Sequence, residues 1–218
     1  MSDAAKLIFY TNPMSRGRIV RWMLEETAQP YETVLLDYGT TMKGDDYRAV
    51  NPMGKVPAIR HGDVVVTEAA AICAYLADAF PDAGLAPPPG NPKRGPYYRW
   101  MFFAAGPVEA VITGKALGLL APEDKKMMAG YGSFEETIDA LEGAVSGPGP
   151  YICGEQFTAA DVYVGASIGW GTQFGIIPKR EPFQAYLARI TERPAYQRAV
   201  GIDDKLIAEQ KAAQPQAS

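Results

Sequence analysis

Residues 51–80 read NPMGKVPAIRHGDVVVTEAAAICAYLADAF, and two periodicities follow one another within them. Short apolar runs at 56–60 and 64–66 flank His61-Gly62-Asp63, a glycine-containing loop that predicts a β-hairpin. Ile72, Tyr75, Leu76, Ala79 and Phe80 then fall at i, i+3, i+4, i+7 and i+8, the broad apolar stripe of an amphipathic helix. Upstream, 45–50 reads as a short helix that Pro52 helps to stop. Before it, 33–37 reads as a strand and 16–27 as a helix, with Ile19, Trp22 and Met23 on one side. Residues 6–10 read as a first strand. The order is βαβαββα. Its strand–helix–strand units imply parallel pairing, and the closing hairpin adds an antiparallel strand.

Downstream the composition changes. Residues 81–95, PDAGLAPPPGNPKRG, hold five prolines and three glycines, which excludes helix and central strand and predicts a linker. From Pro96 the strand signal disappears. Residues 96–105 are helical and rich in aromatics, and Pro107 should kink or break that helix. Phe134, Ile138, Leu141 and Val145 mark a second helix. Thr158-Ala159-Ala160-Asp161 is a short acidic form of the capping box, in which each end residue can satisfy the other's backbone N–H. The helix it opens is apolar nearly all round and belongs in the middle of a core. Helix pieces at 183–190 and 195–200 are split by Pro194, and 206–218 is Ala/Gln-rich and expected to fray. The expected organisation is an α/β domain at 1–80, a linker at 81–95, an all-helical domain at 96–206 and a flexible tail at 207–218.

Of 218 residues, 21 are Lys or Arg and 25 are Asp or Glu, a net charge of −4 that argues against nucleic acid as a partner. The longest clean apolar run, 69–77, is far short of the ~18 residues of a transmembrane helix, so no membrane association is expected. The first residues, MSDAAKLIFYTNP, lack the basic start and long apolar stretch of a secretory signal. Cys73 and Cys153 lie far apart in apolar contexts and read as reduced structural thiols of a cytoplasmic protein. The single histidine, His61, has no neighbouring Cys or acidic cluster, so no metal site is expected.

Three segments carry a resemblance. Asn51-Pro52-Met53-Gly54-Lys55-Val56-Pro57 resembles an NPxGKVP turn. Thr67-Glu68-Ala69-Ala70-Ala71-Ile72, followed by Tyr75-Leu76, resembles a (T)ES-x-AI-x-x-YL segment. Phe157 with the box that follows resembles a buried N-capping box. Together, in this order, they resemble the soluble bacterial glutathione S-transferases over about residues 5–200. The resemblance implies a thioredoxin-like N-terminal domain followed by an all-helical one, glutathione as co-substrate, and a homodimer.

It also implies roles. Pro57 matches a proline that follows a cis bond in that family. There the backbone of Val56 would face outward and pair with the cysteinyl backbone of glutathione like an added strand. Lys55 would pair with the glycyl carboxylate. The helix beginning at Ala69 would offer free N–H groups to the γ-glutamyl carboxylate, and Glu68 would pair with the ammonium. Ala69 stands where the family usually has Ser, so a hydroxyl donor is missing. Two hydroxyls could stabilise the thiolate, Tyr10 at the end of the first strand and Ser15 just before the first helix. The spacing to Arg16-Gly17-Arg18 favours Ser15, and Asn12 and Arg16 are further possibilities. No cysteine occurs in 11–17, which disfavours mixed-disulfide chemistry. The implied reaction is attack of the thiolate on a small hydrophobic electrophile, in a pocket walled by residues such as Met14, Tyr97, Trp100, Met101, Phe103 and Trp170. The alternatives are a glutathione-dependent peroxidase or disulfide reductase, and a non-catalytic glutathione-binding module.

Overall fold

The computed structural model describes residues 6–213. The predicted βαβαββα order is present: β1 (Leu7–Thr11), α1 (Gly17–Thr27), β2 (Glu32–Leu35), α2 (Asp45–Arg48), β3 (Ala58–His61), β4 (Val64–Thr67) and α3 (Ala69–Ala79). The sheet order is β2-β1-β3-β4, with β1 and β2 parallel and the other two pairings antiparallel. This is a thioredoxin-like arrangement. Alternation along β1 sends Leu7, Phe9 and Thr11 into the core, and the Arg21 guanidinium on α1 lies 5.1 Å from the Phe9 ring centroid. The opposite face carries a smaller cluster of Leu36, Met42, Tyr47 and Ala58, against which Tyr10 and Val56 pack.

The chain forms two compact units. The first holds the described residues up to Ala83 together with those from Arg193 on, and the second is Gly84–Glu192. The unit boundaries differ from the expected domains because the last helix, α9 (Pro194–Ala213), packs on α1 rather than within the helical unit. Its anchors are specific. Arg21 Nε donates to Asp203 at 2.7 Å, and both side chains are almost fully buried. Arg18 meets Asp204 at 2.8 Å, Arg193 grips both carboxylate oxygens of Glu26, and Trp22 packs edge-on against Tyr196. The tail expected at 207–218 is helical as far as Ala213, and its remainder lies outside the described residues. The expected split between the two helix pieces is present, the preceding helix ending at Thr191 just before Pro194. Pro194 occupies the first position of α9, where its missing N–H is harmless.

In the second unit, α4 (Arg94–Phe103) runs through one wide π-type turn (Ala104–Val108) into α5 (Glu109–Leu117). Pro107 sits inside that turn, which absorbs the lost hydrogen bond, so at the place where a kink or a break was expected the chain stays helical through a local irregularity. α6 (Phe134–Val145), α7 (Ala159–Gln173) and α8 (Glu181–Thr191) complete the unit. α7 is central, with Ala159 to Gly165 all buried. Asp161, itself buried, accepts from the backbone N–H groups of Ile152 (2.8 Å) and Thr158 (2.9 Å) and from the hydroxyls of Thr158 (3.0 Å) and Tyr186 (2.9 Å). The proline-rich segment is tied to this unit, since Leu85 is buried and its carbonyl accepts the N–H of Ala159. α5 had no expectation from sequence, because only Val111 of its residues is buried and its apolar pattern is correspondingly weak.

Candidate functional site

Strand register assembles the site. Tyr10 pairs with Ala58, Ala58 with Thr67, and Thr11 with Leu35. The segment after β1, the residues just before β3 and those just after β4 therefore share one end of the sheet. Ser15, Val56-Pro57 and Glu68-Ala69 fall in these three segments. Sites in open α/β sheets form at such carboxyl ends of parallel strands.

The loop after β1 is held by Asn12, which is 3 % exposed. Its Nδ2 donates to the Leu36 carbonyl at 2.8 Å and its Oδ1 accepts the Met14 N–H at 3.0 Å. Its own carbonyl receives the Ser15 hydroxyl at 2.7 Å. Ser15 Oγ in turn accepts the Gly17 N–H at 2.9 Å, at the amino end of α1. The hydroxyl thus sits where the helix offers positive charge, with its proton turned to a carbonyl from which it can swing. Tyr10 stands elsewhere. Being one residue off Thr11, it projects from the opposite face of the sheet, with its ring 5.6 Å from that of Tyr47. The fold brings Ser15, not Tyr10, to the start of α1.

Gly17 is required here. A Cβ on it would lie 1.9 Å from Thr11 Oγ1 and 2.9 Å from Ser15 Oγ. Gly17→Ala is expected to destabilise the protein by about 1–3 kcal/mol despite alanine's better helix propensity. Thr11→Ala in the same chain should recover most of that loss in thermal unfolding. No recovery would show that the contact with Thr11 is not what excludes alanine.

The turn before β3 is equally constrained. Asn51 Nδ2 and the Tyr47 hydroxyl both donate to the Lys55 carbonyl at 2.7 Å, and Lys43 Nζ donates to the Gly54 carbonyl at 2.6 Å. The Val56–Pro57 peptide is cis. Among the described residues, neither the N–H nor the C=O of Val56 has a backbone partner. The Lys55 side chain is exposed beside it. Tyr47 and Lys43 were not singled out from sequence, because a tyrosine on a four-residue helix and a loop lysine carry no spacing signal.

Glu68 precedes α3 with φ 68° and ψ 119°, a conformation rarely adopted by a residue with a side chain. It costs about 1–3 kcal/mol and persists where surrounding structure enforces it, commonly at functional sites. Its side chain is exposed, and Ala69 behind it is buried. An acceptor carboxylate and the free N–H groups of a helix start are thus presented side by side.

Other groups divide simply. Burial pushes the Cys73 thiol well up, and burial pushes Cys153 up to about 11, so neither is a ready thiolate. His61 Nδ1 is 2.9 Å from the Tyr75 hydroxyl. Among the described residues no group of three His, Cys, Asp or Glu could hold a metal, and no helix is long and apolar enough to cross a membrane. Of the expected pocket walls, Tyr97, Trp100 and Met101 are buried within the helical unit, while Met14 is exposed on the first unit.

At one end of its sheet the thioredoxin-like unit thus sets the peptide before a cis proline, the amino end of α3 and the Ser15 hydroxyl. Comparison with known proteins gives the family. Residues 14–79 match the model of the glutathione S-transferase N-terminal domain. The chain is 32 % identical over 162 residues to glutathione S-transferase GstA of Escherichia coli O157:H7, covering 73 % of this chain and 79 % of that protein. Among solved structures, a glutathione transferase from Methylococcus capsulatus superposes with TM-score 0.76 at 31 % identity, covering 91 % of this chain and 98 % of that one. A sphingomonad glutathione S-transferase complexed with glutathione gives TM-score 0.71 at 28 % identity, with 90 % and 98 % covered. The chain belongs to the glutathione S-transferase family.

Proposed function

We propose that this protein binds glutathione at the strand-end site and activates its thiol as thiolate for attack on small hydrophobic electrophiles, so that an alkyl or aryl group is transferred to the glutathione sulfur. The observation that carries the proposal is the convergence of Ser15, Val56 and Glu68 at one end of the sheet. Val56 N–H and C=O pair with the cysteinyl backbone, Pro57 ends that dock, and Lys55 meets the glycyl carboxylate. Glu68 pairs with the γ-glutamyl ammonium, and the N–H groups from Ala69 onward receive the γ-glutamyl carboxylate. Ser15 turns its hydroxyl from Asn12 to the sulfur. The thiol loses its proton to solvent, the sulfur lone pair forms a C–S bond, and the leaving group departs with its electron pair. No metal takes part. We further propose a cytoplasmic homodimer with a role in detoxification.

A thiol of pKa ~8.5 is only a few per cent ionised at neutral pH. Lowering that value by ~2 units takes ~2.7 kcal/mol, within reach of one charge-assisted hydrogen bond plus the helix terminus. Ser15→Ala is therefore expected to raise the bound thiol's pKa by ~1.5–2 units and slow turnover at neutral pH by ~10–100-fold, with little change in glutathione affinity. Tyr10→Phe should leave the pH profile in place. Turnover against pH with a halonitroarene decides this, and an alkaline shift in Tyr10→Phe alone would move the role to Tyr10. Retention on immobilised glutathione without turnover would favour the non-catalytic module, and turnover of a hydroperoxide alone would favour the peroxidase reading.

A further inference from the structure

The Lys55 carbonyl accepts two hydrogen bonds, from the Tyr47 hydroxyl and from Asn51 Nδ2, each at 2.7 Å. Both donors belong to buried residues, at 3 % and 4 % exposure. The Lys55–Val56 peptide is trans, since Val56–Pro57 is the cis bond found among the described residues. In a planar trans peptide the C=O of one residue and the N–H of the next point in opposite directions. A carbonyl held inward by two buried donors therefore holds the Val56 N–H outward. That N–H has no backbone partner among the described residues, which is the state of a donor kept for a ligand.

We infer that Tyr47 and Asn51 are positioning residues that aim the Val56 N–H at the glutathione backbone. The inference rests on the glutathione-binding reading above. Neither residue touches the ligand in this account; both act through one peptide plane. Burial holds the Tyr47 hydroxyl at about 12, so it remains a donor throughout the neutral range. Asn51 has a second task, because its Oδ1 accepts the Met53 N–H at 3.1 Å and shapes the turn. Asn51→Asp keeps that acceptor but replaces the donor with a charged oxygen facing the Lys55 carbonyl, so Tyr47→Phe is the cleaner removal of a donor. Tyr47→Phe keeps the ring that packs on Tyr10 and removes only the hydroxyl.

The test is calorimetric titration of the intact protein and of each variant with glutathione and with γ-glutamyl-alanyl-glycine, which has the same backbone and no thiol. Each variant is expected to bind both peptides about 3–10-fold more weakly, by the same factor for each. Turnover at saturating glutathione and its pH profile should stay as in the wild type, a separation that general damage to the fold would not produce. Unchanged affinity in both variants, with a wild type that binds, overturns the inference while leaving the functional reading intact. A pH profile that moves together with affinity also overturns it. A wild type that binds neither peptide refutes the functional reading and this inference with it.

Discussion

Asp203→Ala is expected to lower stability by about 3–5 kcal/mol, although Asp203 stands near the carboxyl end of the chain and far from the strand-end site in sequence. Its carboxylate and the Arg21 guanidinium are 1 % and 2 % exposed at the side chain, in the order Arg21 then Asp203, and meet at 2.7 Å. Removing the acid leaves a buried guanidinium without its counter-charge. The remaining contacts to the Tyr31 hydroxyl (3.2 Å) and Thr33 Oγ1 (3.4 Å) are long and neutral. For a chain of this size, 3–5 kcal/mol corresponds to roughly 6–20 °C in the melting temperature. The pair's net contribution is a separate matter, because burying two charges costs much of what their attraction returns. Replacing both, as Arg21→Met with Asp203→Leu, should therefore lie much closer to the wild type than either single change. Thermal unfolding of the three variants tests this. A double variant as unstable as Asp203→Ala would mean that the ion pair, rather than the absence of an orphaned charge, sustains the contact between α1 and α9.

Asp161→Ala should be comparably severe, about 3–5 kcal/mol, by a different route. Four donors converge on this carboxylate: two backbone N–H groups and the hydroxyls of Thr158 and Tyr186. Burial pushes the Asp161 carboxyl up, and the four hydrogen bonds pull against that by favouring the charged form. Alanine would leave the donors buried and unanswered, each at a cost of about 1–3 kcal/mol before relaxation. Asp161→Asn retains one acceptor oxygen and turns an amide toward the remaining donors, so an intermediate loss is expected. Denaturant unfolding followed by circular dichroism measures both. A loss below about 1 kcal/mol for Asp161→Ala would sink the argument, since it would require the loop at Ile152 and the start of α7 to find other acceptors at no cost.

The strand-end site was legible in part. The segment from Asn51 to Pro57 and the pair Glu68-Ala69 could be found as candidates because turns and helix starts carry short-range chemistry in consecutive residues. The choice between Tyr10 and Ser15 could not be made from spacing alone. It depends on which face of β1 the Tyr10 side chain leaves, and on the geometry of the loop carrying Ser15, which Asn12 sets through Leu36, 24 residues away. The strain at Glu68 was likewise invisible, because a backbone angle has no signature in residue identity.

By itself the sequence determined the βαβαββα order, the mixed sheet and the change to helices after Pro96, since hydrophobic periodicity and proline placement act over a few residues. It also determined the Thr158–Asp161 box, whose partners are three residues apart. Tertiary structure decided where the last helix belongs. The polarity of Arg21 and Asp203 gives no hint that they are buried against each other, because a charged side chain reads as solvent-exposed until its partner, 182 residues away, is brought to it. It decided as well that Pro107 would be carried inside a continuous helix and that Tyr47 would close on the Lys55 carbonyl. In each case the energy lies in a contact between residues far apart in sequence, or in backbone geometry that neighbouring helices enforce, and local propensity does not contain either.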